Sequence, residues 1–383
     1  MPSFKKEFFN LPVSFMPMPI YMDLHMLPGV QAKGVAEAHR QDILYEEEYG
    51  CKCMTYWVDE ARGTIFCLID APDKESVINL HSKAHGLVPN KIIEVQPSLV
   101  ESFLGRVSDP EEVVTTDDGL KIFHDAAFRF FLAGRTEDPV LLKNRFGNER
   151  MKTLVDKYHE QLTTQLHLHG GRRPTGTDTN WVASFTEASK AFSCAYSLHQ
   201  QLSNEDLQAI DLRLVITAGD PVTPNEQLFG ECLKQAKAAL FLRKGFGIFQ
   251  MPSLHHPDHQ DPRVKKELIP IERLALQDVT ILTQLMDVLE SKGLEADFQL
   301  DAFCQMMAMS QSQLYRKITQ LTGFTPNTLL NEFRLQKAKE LLQKKHYSIS
   351  DVSFMTGFTS PSYFTKCFKK KFGLLPLAYV EHL

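Results

Sequence analysis

The chain has 383 residues, 43% of them apolar and 23% charged, the make-up of a folded protein too long for one ordinary core. No apolar run reaches the roughly 18 residues that cross a bilayer. The proline-broken N-terminus offers no signal-peptide cleavage site, and the seven cysteines contain no C-x-x-C, so a cytoplasmic chain without a membrane partner is expected. From Asp301 onward eleven Lys and Arg face five Asp and Glu, so the net charge of −5 divides into a +6 tail and a −11 body, which calls for a polyanionic partner of the tail.

The first block, residues 18–105, mixes strand-like runs ("TIFCLIDA", "KIIEVQ") with amphipathic helical stretches. His81 and His85 stand four apart on a predicted helix, so both imidazoles share one face. His25 and His39 are further nitrogen donors, and Cys51, Cys53 and Cys67 are sources of thiolate. Imidazole suits nickel, copper or zinc. The competing reading makes His85, just before Gly86, a helix C-terminal residue and the others ordinary core or surface histidines. The stretches "MDLHMLPG", "VAEAHRQDI" and "YGCKCMTYWVDEARGTIFCLIDAPDKESVINLHSKAHGLVPNKIIEV" resemble a bacterial family of nickel-binding-protein-like domains with a ferredoxin-like α+β fold. The resemblance implies a transition metal, nickel or zinc, at His25, His39, His81 and His85.

"RVSDPEEVVTTDDG" is acidic and turn-rich and reads as a linker. The second block, residues 120–250, has "WVASF" and "LRLVITAG" as strands and "SKAFSCAYSLHQQL" as a helix. Its "HGGR", "ASF", "TAGDPV" and "LFGE" resemble the catalytic domain of class III nucleotidyl cyclases. Such chemistry needs two aspartates for two metal ions and an asparagine and arginine for the transferring phosphate. The four positions fall near Arg135, on Thr179 (with Asp178 one residue off), on Lys234 and on Ala238, so no enzymatic activity and no catalytic residue is expected. A scaffold that pairs or spaces domains, or senses a nucleotide, is the expected role.

"MPSLHHPDHQDPRVKKELIP" carries Pro252, Pro257, Pro262 and Pro270 and reads as a second linker; its His255, His256 and His259 read as a solvated connector. Beyond it, residues 275–383 read as helix throughout. Displaced by 50, "SQSQLYRKITQLTGFTP" overlies "SPSYFTKCFKKKFGLLP": Leu314 meets Phe364, Ile318 meets Phe368, and Gly323 meets Gly373. Ser310 with Gln313 predicts a capping box, and Ser360 before Pro361 predicts an N-cap. Displaced by 49, Leu300, Phe303, Cys304 and Met309 answer Ile349, Val352, Ser353 and Phe358. A short helix, a tight turn and a capped helix make a helix-turn-helix, present twice. The two copies of "TGFT" then do different jobs, the first ending a helix and the second forming a turn. "PNTLLNEFRLQKAKELLQKK" is the helical connector between the motifs.

"MSQSQLYRKITQLTGFTP", "RLQKAKELL", "SISDVSFMTGF" and "SYFTKCFKKKFGLLPLAYV" resemble the AraC/XylS family of bacterial transcription regulators, with Val380 where the family commonly has arginine. The resemblance implies double-stranded DNA as partner. Gln311, Ser312, Tyr315, Arg316 and Thr319 would face the groove from one helix, and Ser362, Tyr363, Lys366 and Lys370 from the other, with Lys366, Lys369, Lys370 and Lys371 the better suited to neutralising phosphates. The bland alternative for "KKK" is a solvated charged face. The expected fold class is therefore multidomain: two α+β, ferredoxin-like domains followed by an all-α double helix-turn-helix domain. The expected function is a cytoplasmic homodimeric transcription regulator that answers to an unknown small-molecule, nucleotide or metal effector. A cyclase-like enzyme or a metal-binding stress protein with a DNA-targeting tail are the alternatives.

Overall fold

A computed structural model describes residues 18–111, 113–117, 119–173, 179–202, 204–224, 226–242, 247–254 and 271–383. Asp178 and the linker histidines His255, His256 and His259 lie outside the described residues. The chain forms two compact units, residues 1–127 with 221–228, and residues 128–220 with 229–383. No helix among the described residues is long and apolar enough to cross a membrane.

The first unit is built from β1 (Ile20–Met26), α1 (Ala32–Tyr45), β2 (Lys52–Asp59), β3 (Thr64–Asp70), α2 (Lys74–Ala84) and β4 (Lys91–Val95). The strands form one antiparallel sheet in the order β2-β3-β1-β4. Side chains alternate along a strand, so Asp23 and His25 leave β1 on the same face, and the register with β3 sets Cys67 opposite Asp23. Val35, Ala36, His39 and Asp42 form the buried stripe of α1, and Val77, Leu80 and His81 that of α2. α2 starts at an N-cap, Asp73, whose carboxylate accepts the Ser76 amide.

After α3 (Pro97–Leu104) the structure departs from the sequence reading. The stretch read as a linker folds onto the first sheet. The Arg106 guanidinium lies 4.4 Å from the Trp57 ring centroid and 4.9 Å from that of Phe123, donates to the Tyr56 carbonyl at 2.6 Å and pairs with Asp125 at 3.2 Å. A short hairpin, β5 (Val114–Thr115) with β6 (Lys121–Ile122), follows, and Leu120 and Phe123 enter the core. Two buried apolar anchors and one stacked cation outweigh the acidic, turn-rich composition.

The second unit opens with β7 (Arg129–Arg135), α4 (Pro139–Phe146), α5 (Asn148–Leu168), β8 (Asn180–Phe185), α6 (Ala188–Gln201), α7 (Asn204–Ala209), β9 (Arg213–Gly219), α8 (Gly230–Leu242), β10 (Gly247–Gln250) and β11 (Ile271–Arg273). Its sheet, ordered β11-β10-β9-β7-β8, is mixed, with β7 antiparallel to both neighbours and β9, β10 and β11 parallel. Gly134 sits where β7 passes Trp181, and a Cβ there would lie only 2.3 Å from the nearest indole carbons.

The rest is helical: α9 (Leu276–Lys292), α10 (Leu300–Met306), α11 (Gln311–Thr322), α12 (Pro326–Gln343), α13 (Ile349–Met355), α14 (Pro361–Phe372) and α15 (Pro376–Glu381). α10 and α13 are offset by 49 residues and α11 and α14 by 50, the odd residue falling in the turn between them. Ser310 and Gln313 form the capping box of α11, Ser360 caps α14 ahead of Pro361, and both helices end on a left-handed glycine, Gly323 (φ 70°) and Gly373 (φ 80°). Thr322 closes α11, whereas Thr356 and Gly357 lie in the turn after α13. Arg334 corrects the count of tail charges. It is buried and donates to the carbonyls of Gly293 at 2.8 Å and Glu295 at 2.7 Å, a bolt between α12 and the end of α9.

Gly134→Ala is expected to destabilise the protein by about 1–3 kcal/mol, because Trp181 must leave its packed position. A urea midpoint within error of wild type would show that the indole moves freely.

Candidate nucleic-acid interface and candidate metal centre

α11 and α14 each bury one face and expose the other. Leu314, Ile318 and Leu321 are buried in one helical cluster, and Phe364, Phe368 and Phe372 in another. Gln311, Ser312, Tyr315, Arg316 and Thr319 are exposed on α11, and Ser362, Tyr363, Lys366, Lys369 and Lys370 on α14. Gln311 is not free: its amide donates to Asp301 at 2.8 Å. Val380 packs against the second cluster, so apolar contact is its use here.

The bases of the tail divide by what they touch. Lys371 pairs with Glu332, Lys317 with Asp278 at 3.2 Å, Lys337 with Glu340 at 2.9 Å and Lys339 with Asp138 at 3.4 Å. Arg316, Lys366, Lys369 and Lys370 have no ion pair among the described residues, and all four are exposed. Lys344 and Lys345, exposed in the turn after α12, are likewise without an ion pair among the described residues, so four of the six unpaired cations of the tail lie on the exposed faces of the two capped helices, and Lys371 drops out of the set named from sequence.

Both helix-turn-helix halves are anchored to the sheet-bearing part of the second unit. Asp138, 3% exposed, caps α4 by accepting the Val140 amide at 2.9 Å. The same carboxylate accepts the Tyr379 hydroxyl at 2.6 Å and the Gln343 amide at 3.0 Å. Burial and then the Asp138 charge push the Tyr379 hydroxyl far above its ordinary pKa, so it remains a donor. Leu141 joins the cluster of α14 and α15, while Ala238 and Leu242 of α8 join that of α9 and α11. Lys234 pairs with Asp287 at 2.8 Å and Lys237 with Glu290 at 2.5 Å. Lys234 and Ala238 of α8 are therefore occupied in docking α9. Arg135 lies over the Phe241 ring at 5.2 Å.

In the first unit, His25, His81 and His85 converge with two aspartates that sequence reasoning missed. His81 Nε2 lies 2.8 Å from Asp23 Oδ2, and its Nδ1 lies 3.1 Å from Asp42 Oδ1 and 3.0 Å from His85 Nε2. His85 Nε2 is 3.2 Å from Asp42, and His25 Nε2 is 3.4 Å from Asp23. Asp23, His25, Cys67 and His81 offer ligand atoms all within 4.8 Å of one another, as do Asp42, His81 and His85. Burial alone would discharge His81, but Asp23 and Asp42 outweigh it and push its pKa up to about 10. Burial would raise Asp23, yet His25 and His81 hold it well below the usual carboxylate range. His39 is not in either cluster. Its Nε2 faces Asp109 at 3.8 Å, and burial pulls its pKa down. Cys51 and Cys53 also lie outside both clusters. The i, i+4 spacing of His81 and His85 was a usable signal; the aspartates had none, since they arrive from β1 and α1.

Among known families, "Helix-turn-helix domain" matches residues 303–382 and "Nickel responsive protein SCO4226-like" matches residues 21–95. The HTH-type transcriptional activator RhaR of Salmonella dublin is 36% identical over 97 residues, 25% of this chain and 34% of that protein. The C-terminal domain is of the AraC type. Histidine kinase P4 of Formosa agariphila is 36% identical over 115 residues, 30% of this chain and 8% of that protein. The AraC-type domain is thus shared with proteins of which this chain spans a third or less. The crystal structure of SCO4226 from Streptomyces coelicolor A3(2) is 32% identical, with 20% of this chain and 94% of that chain covered at a TM-score of 0.19.

Tyr379→Phe is expected to cost about 1.5–3 kcal/mol, the range for a hydrogen bond to a charged group. Urea denaturation reads it, and a loss below about 0.5 kcal/mol would mean that Asp138 is satisfied without the Tyr379 hydroxyl.

Proposed function

We propose that the chain is a sequence-specific DNA-binding transcription regulator, with residues 275–383 reading DNA and residues 18–105 and 120–250 acting as sensor and scaffold. The carrying observation is the pair of helices α11 and α14, capped alike, each with a buried apolar face and an exposed face, the two faces together holding the unpaired Arg316, Lys366, Lys369 and Lys370. The connector α12 has 18 residues, so it spans about 27 Å, enough to serve adjacent major-groove segments of one duplex face. In this reading Gln311, Ser312, Tyr315, Arg316 and Thr319 with Ser362, Tyr363 and Lys366 meet base edges. Lys369 and Lys370 meet phosphates, and Arg316 suits a bidentate guanine contact.

The connectivity β1-α1-β2-β3-α2-β4 supports a ferredoxin-like reading of the first block. There the effector is a transition metal, nickel or zinc, for which the donors present are suited: imidazoles of His25, His81 and His85, carboxylates of Asp23 and Asp42, and the Cys67 thiol. A bound divalent cation would supply positive charge between carboxylates carried by β1 and α1. His81 would give one ring nitrogen to the metal, and the aspartate on the other nitrogen, Asp23 at Nε2 or Asp42 at Nδ1, would orient the ring as an outer partner of a ligand does. The middle block is a non-catalytic, cyclase-like scaffold, because its aligned phosphate positions are taken up in docking α9. Pairing of two copies through these blocks would present two reading domains.

Arg316→Ala in the full chain should weaken a cognate site about 5–150-fold, equivalent to 1–3 kcal/mol, and random DNA far less. Equal loss on both would refute base reading. Lys370→Ala should weaken both alike and lower the salt slope by about 1. Footprinting on the upstream DNA of the protein's own gene supplies the cognate site. Calorimetric titration of the full chain with Ni²⁺ or Zn²⁺ should give a dissociation constant below millimolar that His25→Ala with His85→Ala abolishes. Unchanged uptake by that double variant would remove the metal from this cluster.

A further inference from the structure

A cavity of about 290 Å³ opens directly on the histidine cluster. Its polar end is lined by His25, Asp42, Cys67 and His85, and its walls by Val30, Val35, Ala38 and Ile65. The size stands at the small end of ligand pockets, which run from roughly 300 to 1,000 Å³. Three features of the cavity lack a use in packing. Leu27 and Leu87 at its rim are 37% and 41% exposed, large apolar side chains without cover. Gly34 also lines the cavity, inside α1, where glycine costs about 1 kcal/mol relative to alanine. A Cβ on it would meet nothing within 4 Å, so no neighbour demands the glycine. His39, 8% exposed, lines the cavity with an Nε2 that makes no hydrogen bond among the described residues, the carboxylate of Asp109 standing 3.8 Å away.

An aqueous metal ion alone leaves these features unexplained. Apolar walls do not hold water well, since a bridging water needs two to four polar partners. Neither cluster supplies more than four ligand atoms, so donors from elsewhere can complete the coordination of a metal held there. We infer that the cavity takes a small organic ligand together with the metal. Its nitrogen donor completes the coordination, and its ring or short apolar chain lies against Val30, Val35 and Ala38 beneath Leu27 and Leu87. His39 then makes a hydrogen bond with the polar edge of that ligand. The inference rests on the metal reading of the cluster and names the form in which the metal is recognised, as a complex with a largely apolar organic ligand that carries a nitrogen donor.

The test uses the full chain, Ni²⁺ alone, and 1-benzylimidazole as a probe with one nitrogen donor and an apolar ring. With Ni²⁺ bound, the probe should bind the wild type and shift the visible absorption of the metal. Ala38→Phe should fill the cavity and weaken the probe at least tenfold while Ni²⁺ uptake is retained. Gly34→Leu, at the exposed rim and less demanding of the fold, should do the same. Ni²⁺ binding with probe affinity equal in wild type and both variants would overturn the inference and leave the metal reading intact. Probe binding that is as tight without metal would overturn it as well. Absence of Ni²⁺ uptake in the wild type would overturn the metal reading itself, and the inference with it.

Discussion

A carboxylate that is 3% exposed must find its hydrogen bonds inside the protein, and Asp138 finds them from two directions. The Val140 amide belongs to its own helix, while Tyr379, Gln343 and Lys339 belong to the second helix-turn-helix half. Leaving a buried charge with a partner missing costs several kcal/mol, so the start of α4 and the docking of α12 and α15 are coupled. Burial of Leu141 and Phe372 in one cluster closes the site against water. On the other half, α8 is tied to α9 by Ala238 and Leu242 and by two lysine–acid pairs at its edge. The two half-motifs are thus held not only by α12 but by two arms of one sheet-bearing scaffold.

The same economy governs the charges. A basic tail invites the inference that every cation meets a polyanion, yet Arg334 is a structural bolt and four lysines are engaged with acids of the fold. Exposed ion pairs contribute little stability, about 0–1 kcal/mol each, but they lower the positive potential where they form. The potential that remains lies at Arg316 on α11, at Lys366, Lys369 and Lys370 on α14, and at Lys344 and Lys345 in the turn after α12. A duplex would therefore meet cations on both capped helices and at one turn between the motifs.

What was legible in the sequence follows the range of the forces involved. Helix caps act within three residues, so Ser310, Ser360, Gly323 and Gly373 announce α11 and α14 directly. The 49 and 50 offsets are legible because a duplicated motif must bury matching positions. The histidines could be named, but only the pairing of β1 with β3 and the packing of α1 and α2 select which of them meet. His39 fell outside for that reason, and Asp23 and Asp42 came in. The stretch after α3 was misjudged because its composition is that of a loop, whereas its fold is decided by Arg106, Leu120 and Phe123 reaching a distant sheet. The Asp138 contact had no sequence signal beyond the Asp-Pro that starts a helix. Its partners lie more than 200 residues away.

His81 shows why a buried polar cluster of this kind is poised and not merely satisfied. Both ring nitrogens are engaged, one by Asp23 and the other by Asp42 and His85, so the imidazolium is the internal cation that lets two carboxylates remain charged out of water. A protonated imidazole binds no metal; a ring nitrogen must first give up its proton. A divalent cation at this centre would replace the charge that departs and add one more, and a carboxylate that now holds a proton in place would then hold a ligand's orientation. Such an exchange would conserve the contacts between α1, α2 and β1 while altering what stands at their centre. Local charge compensation would therefore tie the protonation of His81 to metal uptake, so that the affinity of this centre for a cation rises as the imidazolium gives up its proton.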